Sequence, residues 1–152
     1  MDNAGLKEKV LKIVSNAEII EDKQYLTVNV PQNKLHTLAQ SLKEDEETKF
    51  DYLFCLTGMD YEDSLGVVYH ITSSVYNHII VLKIKTPNRE KPEFESVTDI
   101  WKTAEFHERE VFDLFGINFK NHPDMRRIFL ESYFKGYPLR KDFVDEINII
   151  ER

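Results

Sequence analysis

Cysteine is nearly absent from this sequence, since Cys55 is the only one among 152 residues. A lone thiol cannot form a disulfide within the chain, and it cannot supply the several cysteine ligands that an iron–sulfur cluster generally takes. Cys55 lies in the apolar run 53–56, so we expect a buried core thiol. We also expect the chain to hold no cofactor of its own and to leave any redox chemistry to other chains.

Long hydrophobic runs, glycine-rich loops and an excess of positive charge are also missing. No apolar stretch approaches the ~20 residues that cross a bilayer, and residues 1–14 lack the apolar centre of a signal peptide. The five glycines stand singly without a GxGxxG loop, which argues against nucleotide binding. A net charge of −7 argues against nucleic acid as a partner. We expect any membrane contact to run through other proteins.

The charge is unevenly distributed along the chain. Residues 1–118 hold 13 basic against 21 acidic residues, a balance of −8. Residues 119–143 hold six basic against three acidic residues, a balance of +3. An acidic body followed by a basic extension indicates an interaction segment at the C-terminal side.

Hydrophobic periodicity predicts two helices and five strands in the first hundred residues. The helices are expected over residues 4–16 and after Pro31, and the strands at 19–20, 25–30, 52–58, 67–76 and 78–85. The continuous apolar run in the third strand is typical of a central strand. A short helix is expected from Ser96 to Trp101, and a longer one over residues 105–115 with Gly116 as its left-handed cap.

The predicted fold class is α+β. A two-layer domain over residues 1–116 has the order helix, two strands, helix and three strands, and its strands form a mixed sheet. Short helices follow, and residues 117–152 form an extended C-terminal arm of the same domain, because no period persists beyond Gly116.

The helix over residues 105–115 is apolar on most of its circumference and carries one charged stripe. Arg109 and Asp113 stand four residues apart and are expected to pair, with Phe106 and Glu110 near the same face. Two interpretations stay open. The helix is either a core helix whose stripe meets solvent, or a helix buried both by its own sheet and by a partner.

Arginine residues follow the proline turns of the arm. Arg126 and Arg127 come after Pro123, and Arg140 comes after Pro138. Guanidinium forks pair bidentately with carboxylates and suit ion pairs across interfaces. An arm with little core of its own needs another surface to lie on.

The segment 101–143 resembles the C-type subunit of NADH:quinone oxidoreductase, the thirty-kilodalton subunit family of complex I. The residues that carry the resemblance are Glu108-Arg109-Glu110, Asp113, Gly116-Ile117, Phe119, His122-Pro123-Asp124, Arg126-Arg127-Ile128 and Pro138-Leu139-Arg140-Lys141-Asp142-Phe143. The first hundred residues match only in the order of their elements. The family often has Trp where this chain has Phe106.

The resemblance implies a non-redox structural subunit in the peripheral arm of a proton-translocating NADH:quinone oxidoreductase. Catalysis then belongs to the whole complex, whose FMN and iron–sulfur clusters are held by other subunits. The family packs on the hydrogenase-like D-type subunit, near the cluster-bearing B-type subunit, with the I-type subunit as a further possible neighbour, on the cytoplasmic side of the bacterial inner membrane. Because the sequence ends at Arg152, we expect neither a fusion to the D-type protein nor a long extension. The expected interface residues are Glu108, Arg109, Glu110, Asp113, His122, Asp124, Arg126, Arg127, Pro138, Arg140, Lys141 and Asp142.

Other functions remain as alternatives. The chain resembles, through the same family, subunits of membrane-bound hydrogenases and of ferredoxin- or F420-linked complexes, and a generic adaptor with a basic arm shares the same charge pattern. A metallohydrolase helix is not supported, because Val111 stands where His-Glu-x-x-His needs its second histidine. An acid–base enzyme is not supported either, because Glu108 and Glu110 point roughly 200° apart on a helix.

Overall fold

The computed structural model describes residues 2–21 and 24–145 and has the predicted α+β fold. Within those residues the α-helices are Asn3–Ile13 (α1), Leu35–Glu44 (α2) and Ala104–Phe115 (α3), and a 3₁₀ turn over Gln32–Lys34 leads into α2. The strands are Glu18–Glu21 (β1), Leu26–Asn29 (β2), Tyr52–Asp60 (β3), Leu65–Thr72 (β4), Ile79–Thr86 (β5), Glu93–Glu95 (β6) and Asn118–Lys120 (β7).

The described strands form a main sheet in the order β1-β2-β5-β4-β3 and a separate parallel pair of β6 with β7. β1 and β2 form the predicted hairpin, and β4 runs antiparallel to both β3 and β5. β2 lies parallel to β5, so the main sheet is mixed, as the sequence predicted. A parallel pair needs a long crossover connection, and α2, β3 and β4 together provide it.

The helices cover one face of the main sheet and enclose the core. Successive strand residues point to opposite faces, so only alternate residues of β4 enter the main core. The buried residues that β4, α1 and α2 contribute to that core are Leu65, Val67, Tyr69, Ile71, Leu6, Val10, Leu35, Leu38, Ala39 and Leu42. The four α2 residues are the apolar face that the sequence predicted. The two-layer arrangement is therefore confirmed.

β3 is an edge strand among the described strands, so the prediction of a central strand was wrong. Its side chains alternate, with Leu53 buried and its neighbours Tyr52 and Phe54 exposed. The pairing register shifts between Leu53 and Cys55. Cys55 is half-buried with its sulfur 3.3 Å from Thr57 Oγ1, and it is not the core thiol we expected. The apolar run reflects a strand with one exposed apolar face, because no second layer from the described residues covers that side.

The predicted short helix after Ser96 is also wrong, because residues 98–100 form turns. The Ser96 hydroxyl lies 2.7 Å from Glu108 Oε2 and accepts the Thr98 N–H at 3.1 Å, so it is held in a local turn. The strand β6, which lies just before Ser96, was not predicted. Helix α3 is confirmed within one residue, and Gly116 ends it with φ 71°, the left-handed conformation that glycine adopts readily.

The arm begins as part of the core. Ile117 and Phe119 are almost fully buried, and β7 pairs in register with β6. Met125 is partly buried and also packs against the core. The division of the chain at Gly116 stays a prediction, but the hydrophobic core extends past it to about Met125.

Truncation of the chain after Gly116 is expected to abolish the cooperative fold. The cut removes Ile117 and Phe119, and large buried side chains contribute roughly 2–5 kcal/mol each. A chain ending at Met125 retains both residues and β7, and we expect it to unfold cooperatively. Urea unfolding followed by the fluorescence of Trp101 measures the stability of both truncated chains. Trp101 is a suitable probe because it is buried and its indole N–H donates to the Phe50 carbonyl oxygen. Equal unfolding midpoints for the two truncated chains would contradict this account.

Candidate partner interface

Helix α3 directs three buried charged groups toward the rest of the chain. Glu108, Arg109 and Asp113 are all less than a tenth exposed. The expected ion pair between Arg109 and Asp113 does not form, because each has closer partners in the arm. Arg109 donates from Nε to the carbonyl oxygen of Arg126 at 3.2 Å and from Nη2 to that of Arg127 at 3.0 Å.

Asp113 binds the same stretch of arm with its carboxylate. Its Oδ2 accepts the N–H groups of three consecutive residues, Ile128 at 3.2 Å, Phe129 at 2.7 Å and Leu130 at 3.0 Å. Burial would raise the pKa of Asp113, but these hydrogen bonds and the charge of Arg127 outweigh it and lower the pKa below its usual value. Residues 126–130 are therefore held to α3 by donors from Arg109 and by acceptors from Asp113.

Arg127 extends this anchor into the following turn. Its Nη1 lies 3.2 Å from Asp113 Oδ1, and its Nη2 donates to the Gly136 carbonyl oxygen at 2.8 Å. The guanidinium also lies over the Tyr137 ring, 4.9 Å from its centre. Arg127 is thus used inside the chain, and it is not free to meet a carboxylate on another protein.

A second anchor fixes the Pro-Leu-Arg-Lys-Asp motif to the end of β3. Asp60 accepts a bidentate pair from Arg89, at 2.7 and 2.9 Å, and the N–H of Lys141 at 2.9 Å. The Arg89 hydrogen bonds are the main reason that the pKa of Asp60 is far below its usual value. Arg140 in turn pairs bidentately with Asp142, chiefly through hydrogen bonds that lower the Asp142 pKa to about 2.

Glu108 occupies a buried pocket between α3 and the turn after β6. Its carboxyl group accepts from Val97 N–H at 2.8 Å and lies 2.7 Å from Ser96 Oγ. His122, whose side chain is fully buried, stands 3.9 Å away. Burial raises the pKa of Glu108 to about 7, and the hydrogen bonds from Val97 and Ser96 offset this only in part.

Glu108→Gln is expected to remove a pH dependence of stability. A carboxyl group whose pKa rises on folding contributes stability below its ordinary pKa of 4.5 and loses it as pH rises through about 7. From about pH 5 to about pH 8 the unfolding free energy of the variant should gain roughly 2–3 kcal/mol relative to the parent chain. Urea unfolding across this range measures the difference. Glu110→Gln, on the half-buried side of the same helix, is the matched control, and equal slopes in all three proteins would refute the prediction.

The exposed side of α3 and the arm form the surface that remains for a partner. Of the twelve residues predicted at the interface, Arg126, Lys141 and Asp142 are largely exposed and Asp124, Glu110 and Pro138 are half-buried. Large apolar side chains stand exposed beside them, namely Phe106, Phe129, Tyr133, Leu139 and Val144. We call these eleven residues the α3–arm face.

The remaining six predicted residues, Glu108, Arg109, Asp113, His122, Arg127 and Arg140, shape this face from within. Three further anchoring residues were missed by sequence reasoning, namely Ser96, Asp60 and Arg89. The Ser96 hydroxyl was assigned to a helix cap. Asp60 lies 29 residues from Arg89 and 81 residues from Lys141, so no local spacing marks it.

Residues 2–21 and 24–145 contain neither a metal-binding cluster nor a membrane-spanning helix. Within this range, no group of three or more His, Cys, Asp or Glu side chains could hold a metal ion. Over the same range, no helix is long and apolar enough to cross a membrane.

The chain was compared with known proteins, and a family model matches most of it. Residues 28–147 match the family model described as the respiratory-chain NADH dehydrogenase 30 Kd subunit. The chain belongs to this family. The 30 Kd family match runs from the end of β2 through β7 and includes almost all of the arm, so it covers both anchors of the α3–arm face.

Similar members of the 30 Kd family are named as subunits of NADH-quinone oxidoreductase. The chain is 51% identical over 122 residues to the C/D-type subunit of Phocaeicola vulgatus, and this match covers 80% of the chain and 23% of that protein. It is 42% identical over 141 residues to the C-type subunit of Chloroherpeton thalassium, covering 91% of the chain and 58% of that protein. The chain therefore spans less than two thirds of the length of these relatives.

A solved structure has the same architecture. A chain from the membrane-bound sulfane sulfur reductase, an archaeal respiratory membrane complex, superposes with a TM-score of 0.79 at 26% identity. The match covers 95% of this chain and 86% of that one. The 30 Kd fold thus also occurs in a respiratory complex with a different name.

Proposed function

We propose that this chain is a cofactor-free structural subunit of a proton-translocating NADH:quinone oxidoreductase. It packs in the peripheral arm against two neighbours, the hydrogenase-like D-type subunit and the cluster-bearing B-type subunit. The observation that carries the proposal is the anchored arm, in which buried groups of α3 hold residues 126–130 so that Phe129 faces outward. The protein contributes a shaped surface, and electron transfer from NADH to quinone belongs to other subunits.

The chemistry of the α3–arm face suits docking to another protein. Phe129 is 66% and Tyr133 80% exposed, and aromatic residues of this kind contribute most of the binding energy in protein interfaces. Arg126, which is 67% exposed, has only the exposed Asp124 as its ion-pair partner within the described chain. Exposed pairs of this type contribute little to folding, so Arg126 can exchange its partner for a carboxylate on the hydrogenase-like neighbour at low cost.

A small cavity next to the face offers a second point of contact. About 110 Å³ of space lies between α3, β3 and Leu139, lined mostly by apolar residues together with Glu110. A partner lysine or arginine fits such a site, because its aliphatic stem can pack on the apolar walls while its charge pairs with Glu110. The same face therefore offers an acidic contact and a basic one.

The fusion found in relatives supports the hydrogenase-like, D-type protein as the partner. The Phocaeicola vulgatus protein carries the double designation C/D in its name, and the match to this chain covers 23% of its length. A linker between two subunits in one polypeptide keeps them at a high effective concentration, which favours contact between them. We propose that this chain makes the corresponding contact with the D-type protein, on the cytoplasmic side of the bacterial inner membrane.

We propose further that FMN and the iron–sulfur clusters lie in other subunits. The single Cys55 and the lack of a metal-binding group among residues 2–21 and 24–145 support this. Metal analysis and the visible absorption spectrum of the purified chain test it. Stoichiometric iron with cluster absorption bands would contradict it.

A related respiratory complex is the second candidate, because the superposed chain comes from an archaeal complex that is not named as an NADH dehydrogenase. Purification of the tagged chain from native membranes distinguishes the two. An NADH-oxidising assembly with quinone reductase activity supports the first proposal. A hydrogenase-like assembly that does not oxidise NADH supports the second, and a chain that elutes without respiratory subunits refutes both.

A further inference from the structure

The buried carboxyl group of Glu108 faces a histidine whose hydrogen bonds are all made elsewhere. His122 Nδ1 accepts the N–H of Asp124 at 2.9 Å, and His122 Nε2 lies 2.9 Å from the carbonyl oxygen of Glu105. A ring nitrogen that accepts a hydrogen bond carries no proton, so Nε2 holds the single ring proton and donates a hydrogen bond to the Glu105 carbonyl oxygen. Nε2 also lies 3.9 Å from Glu108 Oε2, just beyond hydrogen-bond distance.

The hydrogen bonds around Glu108 suit its neutral form. A protonated Glu108 can donate to Ser96 Oγ, and the Ser96 hydroxyl can then donate to Thr98 Oγ1 at 2.8 Å. Within the described part of the chain, an ionised Glu108 has two hydrogen-bond donors, Ser96 Oγ–H and Val97 N–H, for its four acceptor sites. A buried carboxylate with so few donors gains from any further N–H that can reach it.

The other ionisable groups around Glu108 do not supply a positive charge. Glu95, before the turn, and Asp99, within it, both disfavour its ionised form. Tyr69 on β4 interacts electrostatically with Glu108 and has a buried hydroxyl without a hydrogen-bond partner. On α3 itself, Arg109 directs its guanidinium to the arm carbonyls, away from this pocket. The N–H of His122 is therefore the donor with a known short path to the carboxylate.

We propose that Glu108 and His122 form a proton-operated latch that sets the position of the His122-Pro123-Asp124 turn. With Glu108 neutral, His122 Nε2–H donates to the Glu105 carbonyl. When Glu108 releases its proton to water, the same N–H moves about 1 Å to donate to the carboxylate instead.

The latch acts on the α3–arm face because the other ring nitrogen of His122 holds the Asp124 amide. A shift of the ring moves Asp124, whose side chain pairs with Arg126. Burial raises the pKa of Glu108 to about 7, which places the change close to neutral pH. An effect of pH on docking rests on the proposed function, whereas the movement of the turn is a property of this chain alone.

Nuclear magnetic resonance of the 152-residue chain tests the latch without a partner. The Glu108 side-chain carbon, assigned by its loss in Glu108→Gln, should titrate with a midpoint near 7 rather than near its ordinary 4.5. The Asp124 amide should shift with the same midpoint. Glu108→Gln should hold the Asp124 amide at its low-pH position at every pH, and the control Glu110→Gln should titrate as the parent chain does.

Two results would overturn the latch. A Glu108 side-chain carbon that titrates with the ordinary glutamate pKa would remove the trigger of the latch. The parent chain alone suffices for this measurement. An Asp124 amide that moves equally in the parent chain and in Glu108→Gln would show that the turn responds to another group. Either result leaves the docking proposal intact, because neither measurement involves a partner.

Discussion

Replacement of Asp113 by asparagine is expected to release residues 126–130 from α3 while the core stays folded. The carboxylate is fully buried and accepts three backbone N–H groups together with Arg127. Asparagine offers one acceptor and directs its NH₂ group at other donors. Removal of one partner from a buried charged network costs about 3–5 kcal/mol. Amide exchange in residues 126–130 should therefore become at least roughly 100-fold faster.

Hydrogen-exchange mass spectrometry measures the release, with Trp101 fluorescence as the check that the core is intact. Asp124→Asn is the matched control, because its carboxylate is 46% exposed and pairs only with the exposed Arg126, an arrangement worth at most about 1 kcal/mol. Equal exchange rates in Asp113→Asn and Asp124→Asn would show that the anchor does not hold the arm. The hydrogen bonds that lower the Asp113 pKa also predict that the parent arm stays docked above pH 3.8 and is released only in stronger acid.

Replacement of both Phe129 and Tyr133 by serine is expected to remove the chain from its complex without unfolding it. Both side chains are mostly exposed, so their loss costs the isolated fold little. Buried in an interface, aromatic anchors are worth about 2 kcal/mol or more each. The combined loss is a factor of roughly 1,000 in affinity. Recovery of partner subunits with the tagged chain from membranes measures the effect.

The control for this experiment is the double substitution Ile20→Ser with Val75→Ser. These residues are also exposed and apolar, at 43% and 58%, but they lie on β1 and in the turn between β4 and β5. We expect this variant to assemble as the parent chain does. Loss of assembly in the control alone would place the interface on the sheet side of the molecule.

The sequence predicted the elements whose burial follows a simple period. The apolar faces of α1 and α2 at helical spacing identified both helices, and Gly116 identified the end of α3 through its left-handed conformation. The apolar run of β3 was misleading, because Tyr52 and Phe54 are apolar yet exposed. Hydrophobicity alone cannot distinguish a strand buried on both faces from an edge strand with an exposed apolar side.

The positions of the charged residues could not be predicted from their spacing. The interval of four between Arg109 and Asp113 indicated an ion pair, but backbone groups 15 to 18 residues further along the chain compete for both side chains. Arm carbonyl and N–H groups approach α3 only after the chain has folded back over it. The interface role that the resemblance implied for these residues stays a prediction, while the fold shows that Arg109 and Asp113 position the arm from inside.

The most direct test of the docking proposal is site-specific photocrosslinking in native membranes. A benzophenone amino acid in place of Tyr133, on the α3–arm face, should crosslink the chain to the hydrogenase-like subunit under ultraviolet light. The same group in place of Ile20, on the main sheet, should give no such product. A crosslink to that neighbour from Ile20 but not from Tyr133 would contradict the docking face, and crosslinks only to proteins outside respiratory complexes would contradict the proposed function.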